Sequence, residues 1–132
     1  MDKISDAKED HSLKAMRKSF KYAGHGVFIA LRLCRNLKLH YFFSILALVA
    51  GFYFNITLIE FAVVLLVITM VITLEMMNTA IERVVDLLTE KRHILALIAK
   101  DVAAGAVLIA SIIAFTVGAL IFGPYILAIW GG

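Results

Sequence analysis

The sequence predicts an all-α integral membrane protein, in which an N-terminal amphipathic surface helix precedes three transmembrane helices. Hydrophobic residues make up 62% of the 132 residues, whereas about 45–50% is usual for soluble domains. Long apolar stretches follow one another from about residue 41 onward. Lysines and arginines lie beside these stretches, so we expect them to set topology and to contact lipid headgroups rather than nucleic acid.

The N-terminal region divides into a charged end and a helix. Residues 1–11 are polar and highly charged, and we expect them to be disordered. A surface helix over about residues 12–35 is predicted by apolar residues at spacings of three and four, Leu13, Met16, Phe20, Ala23 and Val27. Its other side is basic, which is typical of a helix lying in the membrane interface. A helix packed on the protein surface is an equally good and compatible interpretation.

Three transmembrane helices are predicted within a single membrane-embedded domain, residues 12–132. The first, about 37–54, needs flanking residues to approach the length of about 20 that a span requires. A turn at Asn55-Ile56-Thr57 leads to the second helix, about 57–88. A charged connection at 89–93 precedes the third, about 95–122. We expect Gly123-Pro124 to end that helix and Tyr125 to lie at the membrane interface.

The distribution of basic residues predicts the orientation. Nine of the 13 lysines and arginines lie at or before Lys38, and the other four lie between Arg83 and Lys100. Under the positive-inside rule, the N-terminus and the connection over residues 86–100 are expected to be cytoplasmic, and the turn at Asn55 and the C-terminus are expected to be outside. The chain is therefore expected to be a multi-pass plasma-membrane protein with a cytoplasmic N-terminus.

Polar residues on one face of the second helix are the main functional signal. Glu75, Asn78, Glu82 and Asp86 fall within about 80° of one another on a helix. Since an unpaired Asp in a bilayer costs about 2.5–3.5 kcal/mol, such a face needs a cavity, cations or phosphates. The third helix brings Lys100-Asp101 to the same cytoplasmic rim.

This arrangement suits phosphoryl transfer to a lipid alcohol. The reaction needs a general base at headgroup depth, and Glu75 is the deepest carboxylate. Glu82 lies two turns nearer the cytoplasm and offers the hard oxygens that Mg²⁺ prefers. Asn78 could orient Glu75 or a phosphate oxygen. Phosphate neutralisation and nucleotide contacts fit the remaining polar residues of the two helices, Asp86, Lys100 and Asp101.

Other interpretations of the same residues compete with this one. Glu75 could snorkel or pair with a lysine, and Glu82 with Asp86 could form a solvated helix end satisfied by Arg83 or Lys100. A small ion-coupled transporter, with Glu75 carrying protons, is a second functional hypothesis. A transporter of this kind needs a carboxylate near mid-span and no Lys-Asp pair at the rim. The acidic positions of this chain instead step towards the cytoplasm, which favours phosphoryl transfer to a lipid alcohol.

Two motifs resemble the signature of the prokaryotic diacylglycerol kinase family. The first reads E-x-x-N-T-A-I-E-x-x-x-D from Glu75, and the second reads A-K-D-x-A-A-G-A-V from Ala99. The resemblance extends over about residues 18–124. It is closest to the Gram-positive branch, whose members phosphorylate undecaprenol.

The resemblance implies a homotrimer in the bacterial plasma membrane, with composite active sites at the cytoplasmic face. It implies MgATP as donor and undecaprenol as acceptor, with diacylglycerol as the alternative lipid alcohol. Glu75 would accept the proton with support from Asn78, and Ala104 would lie at the substrate. Glu82 would bind the metal, and the nucleotide would contact Tyr22, Glu82, Asp86, His93, Lys100 and Asp101.

One position departs from the family pattern. Cys34 stands where the family usually has a glutamate that is a second metal ligand. A neutral thiol is a poor ligand for Mg²⁺. The departure leaves open a weakly active enzyme, an enzyme with another donor at that site, or a non-catalytic relative that regulates envelope lipid metabolism.

Overall fold

The computed structural model describes residues 2–88 and 93–130, and these form four helices: α1 Asp2–Leu33, α2 Arg35–Tyr53, α3 Leu58–Leu88 and α4 Ile94–Trp130. The prediction of an all-helical chain is confirmed for this part of the sequence. The connection predicted at 89–93 lies outside it, except for His93. The chain divides into two compact units between residues 33 and 34.

Helix α1 makes up the first unit and is longer than predicted. It begins at Asp2, so the structure describes helical backbone within residues 1–11, where the sequence predicts disorder. Alanine, lysine and glutamate in this segment favour helix even without a buried face. The apolar residues of the predicted stripe, among them Leu13, Met16 and Phe20, are exposed. Exposure is what an interfacial helix requires, and the position of α1 at the membrane stays a prediction.

Helices α2, α3 and α4 form the second unit, in which α3 has the most extensive contacts, above all with α4. The buried face of α3 carries Val64, Val71, Glu75 and Asn78. Their spacings of seven, four and three place them on one side of a helix. The apolar packing face therefore continues directly into the predicted polar face.

By length and apolar composition, two of the described helices could each cross a membrane, α3 and α4. Helix α2 coincides with the first predicted span. It is long and apolar enough to cross a membrane only when it is taken together with α1. Hydroxyl groups in α3 are satisfied within the helix: Thr69 Oγ1 donates to the Leu65 carbonyl oxygen and Thr73 Oγ1 to that of Thr69, each at 2.8 Å. Such internal bonds are what a lipid environment demands.

The turn between α2 and α3 is the one predicted, and Asn55 sets its geometry. Asn55 has φ 54, in the left-handed region that few residues other than glycine and asparagine adopt. The Ile56 N–H donates to the Gly51 carbonyl oxygen at 3.2 Å, and the Asn55 N–H donates to that of Phe52 at 3.3 Å. This pair of bonds is a Schellman motif, which ends α2. A Cβ atom at Gly51 would lie 3.1 Å from Ile56 Cδ1, so glycine permits this close approach.

Thr57 and Glu60 begin α3 with a capping box. The Thr57 N–H donates to Glu60 Oε2 at 2.7 Å, and the Glu60 N–H donates to Thr57 Oγ1 at 3.3 Å. These reciprocal bonds satisfy two of the donors that the start of a helix leaves unpaired. They explain why α3 begins at Leu58, one residue from its predicted start.

Helix α4 does not end at Gly123-Pro124, so the predicted boundary near residue 122 is wrong. The helix continues to Trp130 with Pro124 inside it. Proline removes one backbone hydrogen bond, but tertiary contacts can keep the helix continuous. Here the Tyr125 hydroxyl donates to Glu60 Oε2 at 2.9 Å, and the Tyr125 ring lies 6.0 Å from that of Phe54. These contacts tie the end of α4 to the α2–α3 turn.

Candidate active site

The predicted polar face lies on the C-terminal half of α3, and its exposure increases along the helix. Glu75 is 3% exposed and Asn78 is 6% exposed, so both are buried. Glu82 is half-buried and Asp86 is exposed. A buried carboxylate is costly unless it has polar partners. The face therefore passes from an enclosed base candidate to groups that a soluble nucleotide can reach.

Glu75 finds its polar partners on α2, which sequence reasoning missed. Asn36 and His40, both on α2, act electrostatically on the Glu75 carboxylate. Asn36 and His40 are four residues apart, so they share one face of α2. The four-residue spacing of two polar side chains near the start of a span was the signal that could have identified this face.

Asn78 and Glu82 form a second polar pair within α3. Asn78 Nδ2 donates to Glu82 Oε1 at 3.2 Å. Among the described residues, no group hydrogen-bonds the buried Asn78 Oδ1. An unsatisfied buried oxygen of this kind calls for an explanation, and a bound cation or a ligand donor would supply one.

Lys100 joins α4 to the end of the polar face. Its Nζ forms an ion pair with Asp86 Oδ1 on α3. The two side chains are 34% and 58% exposed, so the pair lies where solvent and phosphate oxygens have access. The structure thus brings Lys100 to the polar face, as expected. Asp101 and Ala104, the neighbouring candidates on α4, are both exposed.

His93 and Tyr22, the remaining nucleotide candidates, have local roles in the structure. His93 Nδ1 accepts a hydrogen bond from the Leu95 N–H at 3.3 Å, so this ring caps the start of α4. Tyr22 is an exposed residue of α1, and Lys18 Nζ lies 5.8 Å from the centre of its ring. Their contribution to nucleotide binding stays a prediction.

Cys34 lies at the junction before α2. It is 9% exposed and occupies the N-cap position with φ −95 and ψ 111, and its side chain makes no capping hydrogen bond. Its thiol is free. A buried neutral thiol does not offer the hard oxygen that Mg²⁺ requires.

The donor set fits Mg²⁺ only if the nucleotide completes its coordination. Across residues 2–88 and 93–130, no group of three or more His, Cys, Asp or Glu side chains is arranged to hold a metal ion. Glu82 and the unsatisfied Asn78 Oδ1 nevertheless supply hard oxygen atoms. Mg²⁺ commonly uses one or two carboxylates together with substrate phosphates, so the residues present fit a metal that arrives with ATP.

Comparisons with known proteins identify the family of this chain. The family model of prokaryotic diacylglycerol kinase matches residues 21–122. Over 118 residues, the chain is 42% identical to the undecaprenol kinase of Bacillus subtilis (strain 168). The aligned region covers 88% of this chain and 96% of that protein. Over 112 residues, it is 42% identical to the diacylglycerol kinase of a Synechocystis species, covering 84% of this chain and 64% of that protein. Since the matched region includes both motifs, this chain belongs to the prokaryotic diacylglycerol kinase family.

Proposed function

We propose that this protein transfers the γ-phosphate of ATP to undecaprenol at the cytoplasmic face of the bacterial plasma membrane. Family membership makes the chain a membrane lipid kinase. The choice of undecaprenol is supported by the B. subtilis relative, named as an undecaprenol kinase, since the match covers 96% of that protein. The relative named as a diacylglycerol kinase is matched over 64% of its length.

The observation that carries the proposal is a buried carboxylate at the inner end of an apolar helix, beside groups that suit a nucleotide. Glu75 is enclosed between α3 and α2, while the Asn78–Glu82 pair and the Lys100–Asp86 pair follow towards solvent. A lipid hydroxyl stays near the membrane surface and ATP comes from water. A site that serves both substrates must therefore join an enclosed base to accessible cations.

In the proposed step, Glu75 accepts the proton of the lipid hydroxyl as its oxygen bonds to the γ-phosphorus. The bond between the γ-phosphorus and the β,γ-bridging oxygen breaks, and ADP leaves with that electron pair. Lys100, held by Asp86, contacts phosphate oxygens with its partly exposed ammonium group. Positioning and charge neutralisation supply most of the rate enhancement in such transfers.

Glu82 and Asn78 Oδ1 would hold Mg²⁺ on the nucleotide side of the site. When bound, the ion neutralises charge that develops on the phosphate oxygens. Asn78 also fixes the Glu82 carboxylate by donating to Oε1, so that the carboxylate is already oriented before the nucleotide arrives.

We further infer that α2, α3 and α4 each cross the membrane, that the N-terminus is cytoplasmic, and that three chains assemble into a homotrimer. The charge distribution supports the orientation. The family resemblance supports the trimer and the composite sites. The many exposed apolar side chains of α2, α3 and α4 are compatible with contacts to lipid and to neighbouring subunits.

The decisive experiment measures ³²P transfer from ATP to undecaprenol by the purified protein in lipid, beside Glu75→Gln. We expect the variant to fold and to lose at least about a hundredfold in turnover, because an amide cannot accept the proton. Melting temperature and subunit mass serve as folding controls. Equal turnover in the two proteins would remove Glu75 from the mechanism.

Diacylglycerol is the alternative acceptor and is tested in the same assay. Both acceptors present a hydroxyl at the membrane surface, so the same carboxylate could serve either. We expect a higher kcat/KM for undecaprenol. A higher kcat/KM for diacylglycerol would leave the assignment as a lipid kinase unchanged and would make diacylglycerol the preferred acceptor.

A further inference from the structure

Glu60 accepts three hydrogen bonds on one carboxylate oxygen, where the start of α3 meets the end of α4. The Thr57 N–H and the Thr57 hydroxyl each donate to Glu60 Oε2 at 2.7 Å. The Tyr125 hydroxyl, from α4, donates to the same oxygen at 2.9 Å. Converging donors favour the ionised form of a carboxyl group. Hydrogen bonds to an ionised acceptor are roughly twice as strong as those between neutral groups.

Hydrogen bonds, and not a neighbouring cation, stabilise this carboxylate. Over residues 39–74 and 102–132, which contain the segments that meet here, the sequence has no other Asp, Glu, Lys or Arg. The titratable group that contacts Glu60 from α4 is Tyr125. On α2, Tyr53 lies near the turn with its ring 5.2 Å from that of Phe54, and His40 lies near the opposite end of the helix. The protonation state of Glu60 therefore decides how strongly it binds the Tyr125 hydroxyl.

Pro124 makes the end of α4 dependent on Tyr125. Proline has no N–H, so one backbone hydrogen bond of the helix is missing at this point. The helical residues 125–130 that follow are too few to be stable as a helix by themselves. Tyr125 connects them to the rest of the molecule through its bond to Glu60 and through its ring, which lies 6.0 Å from that of Phe54. The large apolar side chains beyond it are exposed: Ile126, Leu127 and Ile129.

We infer that the Glu60–Tyr125 contact is an acid-sensitive switch, in which protonation of Glu60 weakens the bond from Tyr125 and lets α4 unwind after Pro124. The stabilising contribution of the ionised carboxylate is present at neutral pH and is lost as the pH falls through the titration of Glu60. The proposed topology places this end of the molecule outside the cell, so the switch would respond to external acidity. The inference concerns the end of α4 and does not depend on phosphate transfer.

The test measures helicity after Pro124 by ¹³Cα chemical shifts, with the full-length protein in lipid bilayers. We expect Leu127 and Ala128 to have helical shifts at about pH 7.5. They should lose at least about half of that deviation from random coil at about pH 3.5, where carboxyl groups are largely protonated. Ala110, which is buried within α4, is the internal reference and should stay helical at both pH values.

Three variants assign the response to the contact. Glu60→Gln cannot ionise but can still form the capping box with Thr57, so its shifts at Leu127 and Ala128 should be the same at both pH values. Tyr125→Phe keeps the ring and removes the donor, so helicity should already be reduced at neutral pH. Tyr53→Phe is the matched control, because it removes a hydroxyl from a ring that also contacts Phe54, and it should respond to acid as the wild type does.

Three outcomes would overturn the inference. One is an acid response in Glu60→Gln as large as in the wild type, because another group would then be responsible. The second is wild-type helicity at Leu127 and Ala128 that does not change with pH. The third is an equal loss at Ala110, which would mean general unfolding of α4. Each readout is independent of turnover, so a protein that transfers no phosphate would defeat the proposed function and leave this test intact.

Discussion

At the scale of single residues, two carboxylates of the candidate site each have a side-chain partner. Glu82 accepts a hydrogen bond from Asn78, and Asp86 forms an ion pair with Lys100. Exposure increases from Glu75 to Asp86, and the exposed Lys100–Asp86 pair contributes little to stability. Cys34 has no catalytic role in this arrangement.

Cys34→Glu tests whether the site lacks a metal ligand at this position. We expect turnover to rise at limiting Mg²⁺, because the new carboxylate supplies a hard oxygen. Because Cys34 is buried, a carboxylate there should also lower the melting temperature in EDTA and let Mg²⁺ restore it. The measurements are turnover and melting temperature against Mg²⁺ concentration.

Cys34→Gln is the matched control, because glutamine has nearly the same size as glutamate and cannot ionise. Neither its turnover nor its melting temperature should respond to Mg²⁺ differently from wild type. If Cys34→Glu shows wild-type turnover at limiting and at saturating Mg²⁺, position 34 does not contribute to a metal site.

Sequence reasoning identified the residues of α3 and α4 better than it identified their partners. The helical period alone places Glu75, Asn78 and Glu82 on one face, so these could be found without coordinates. Which residues of α2 face Glu75 depends on the rotation of α2 against α3. The four-residue spacing of Asn36 and His40 places them on one face of α2, but it does not show that this face meets Glu75, and both residues were therefore missed.

At the scale of helices, the boundaries that local signals set were predicted well. The end of α2 follows from the turn at Asn55, and the start of α3 follows from its capping box. The end of α4 was not predicted, because a Gly-Pro pair is a strong stop signal by itself. The hydroxyl of Tyr125 and the carboxylate of Glu60 are 65 residues apart in the chain, and their contact overrides that signal.

Asn55 should be sensitive to the shape of its side chain, because its backbone is left-handed. We expect Asn55→Val to lower the free energy of unfolding by about 1–2 kcal/mol, the usual cost of this conformation for a residue with a Cβ atom. Asn55→Gly should match wild type or exceed it slightly. Reversible unfolding in mixed micelles measures both, and equal stability of the valine and glycine variants would contradict the assignment of a Schellman motif.

At the scale of the whole molecule, two described helices that could span a membrane lie on either side of the charged connection, so the ends of α3 should face opposite compartments. The outer end would hold the α2–α3 turn and the inner end the nucleotide groups. Glu60 and Glu75 are 15 residues apart, or about 22 Å along a helix. The two ends are far enough apart to be probed separately.

Cysteine labelling in intact cells tests this orientation. In a Cys34→Ala background, we expect Leu58→Cys to react with an impermeant maleimide added outside. Leu87→Cys should react only after permeabilisation, because the basic connection that follows is expected inside. Both positions are highly exposed and lie on the same helix, so each serves as the control for the other. Reversed labelling would place the active site on the outer face.

Pro124 lies within α4, and it relates the length of this helix to the thickness of a bilayer. A proline has no N–H, so Pro124 cannot donate to the carbonyl oxygen of Leu120. Twenty residues separate Lys100 from Leu120, and at 1.5 Å each they span about 30 Å, the thickness of a hydrocarbon core. In the proposed transmembrane arrangement, the ammonium and the freed carbonyl would lie near opposite edges of one bilayer, and a thicker membrane would draw Lys100 below the headgroups that the proposed lipid substrate occupies.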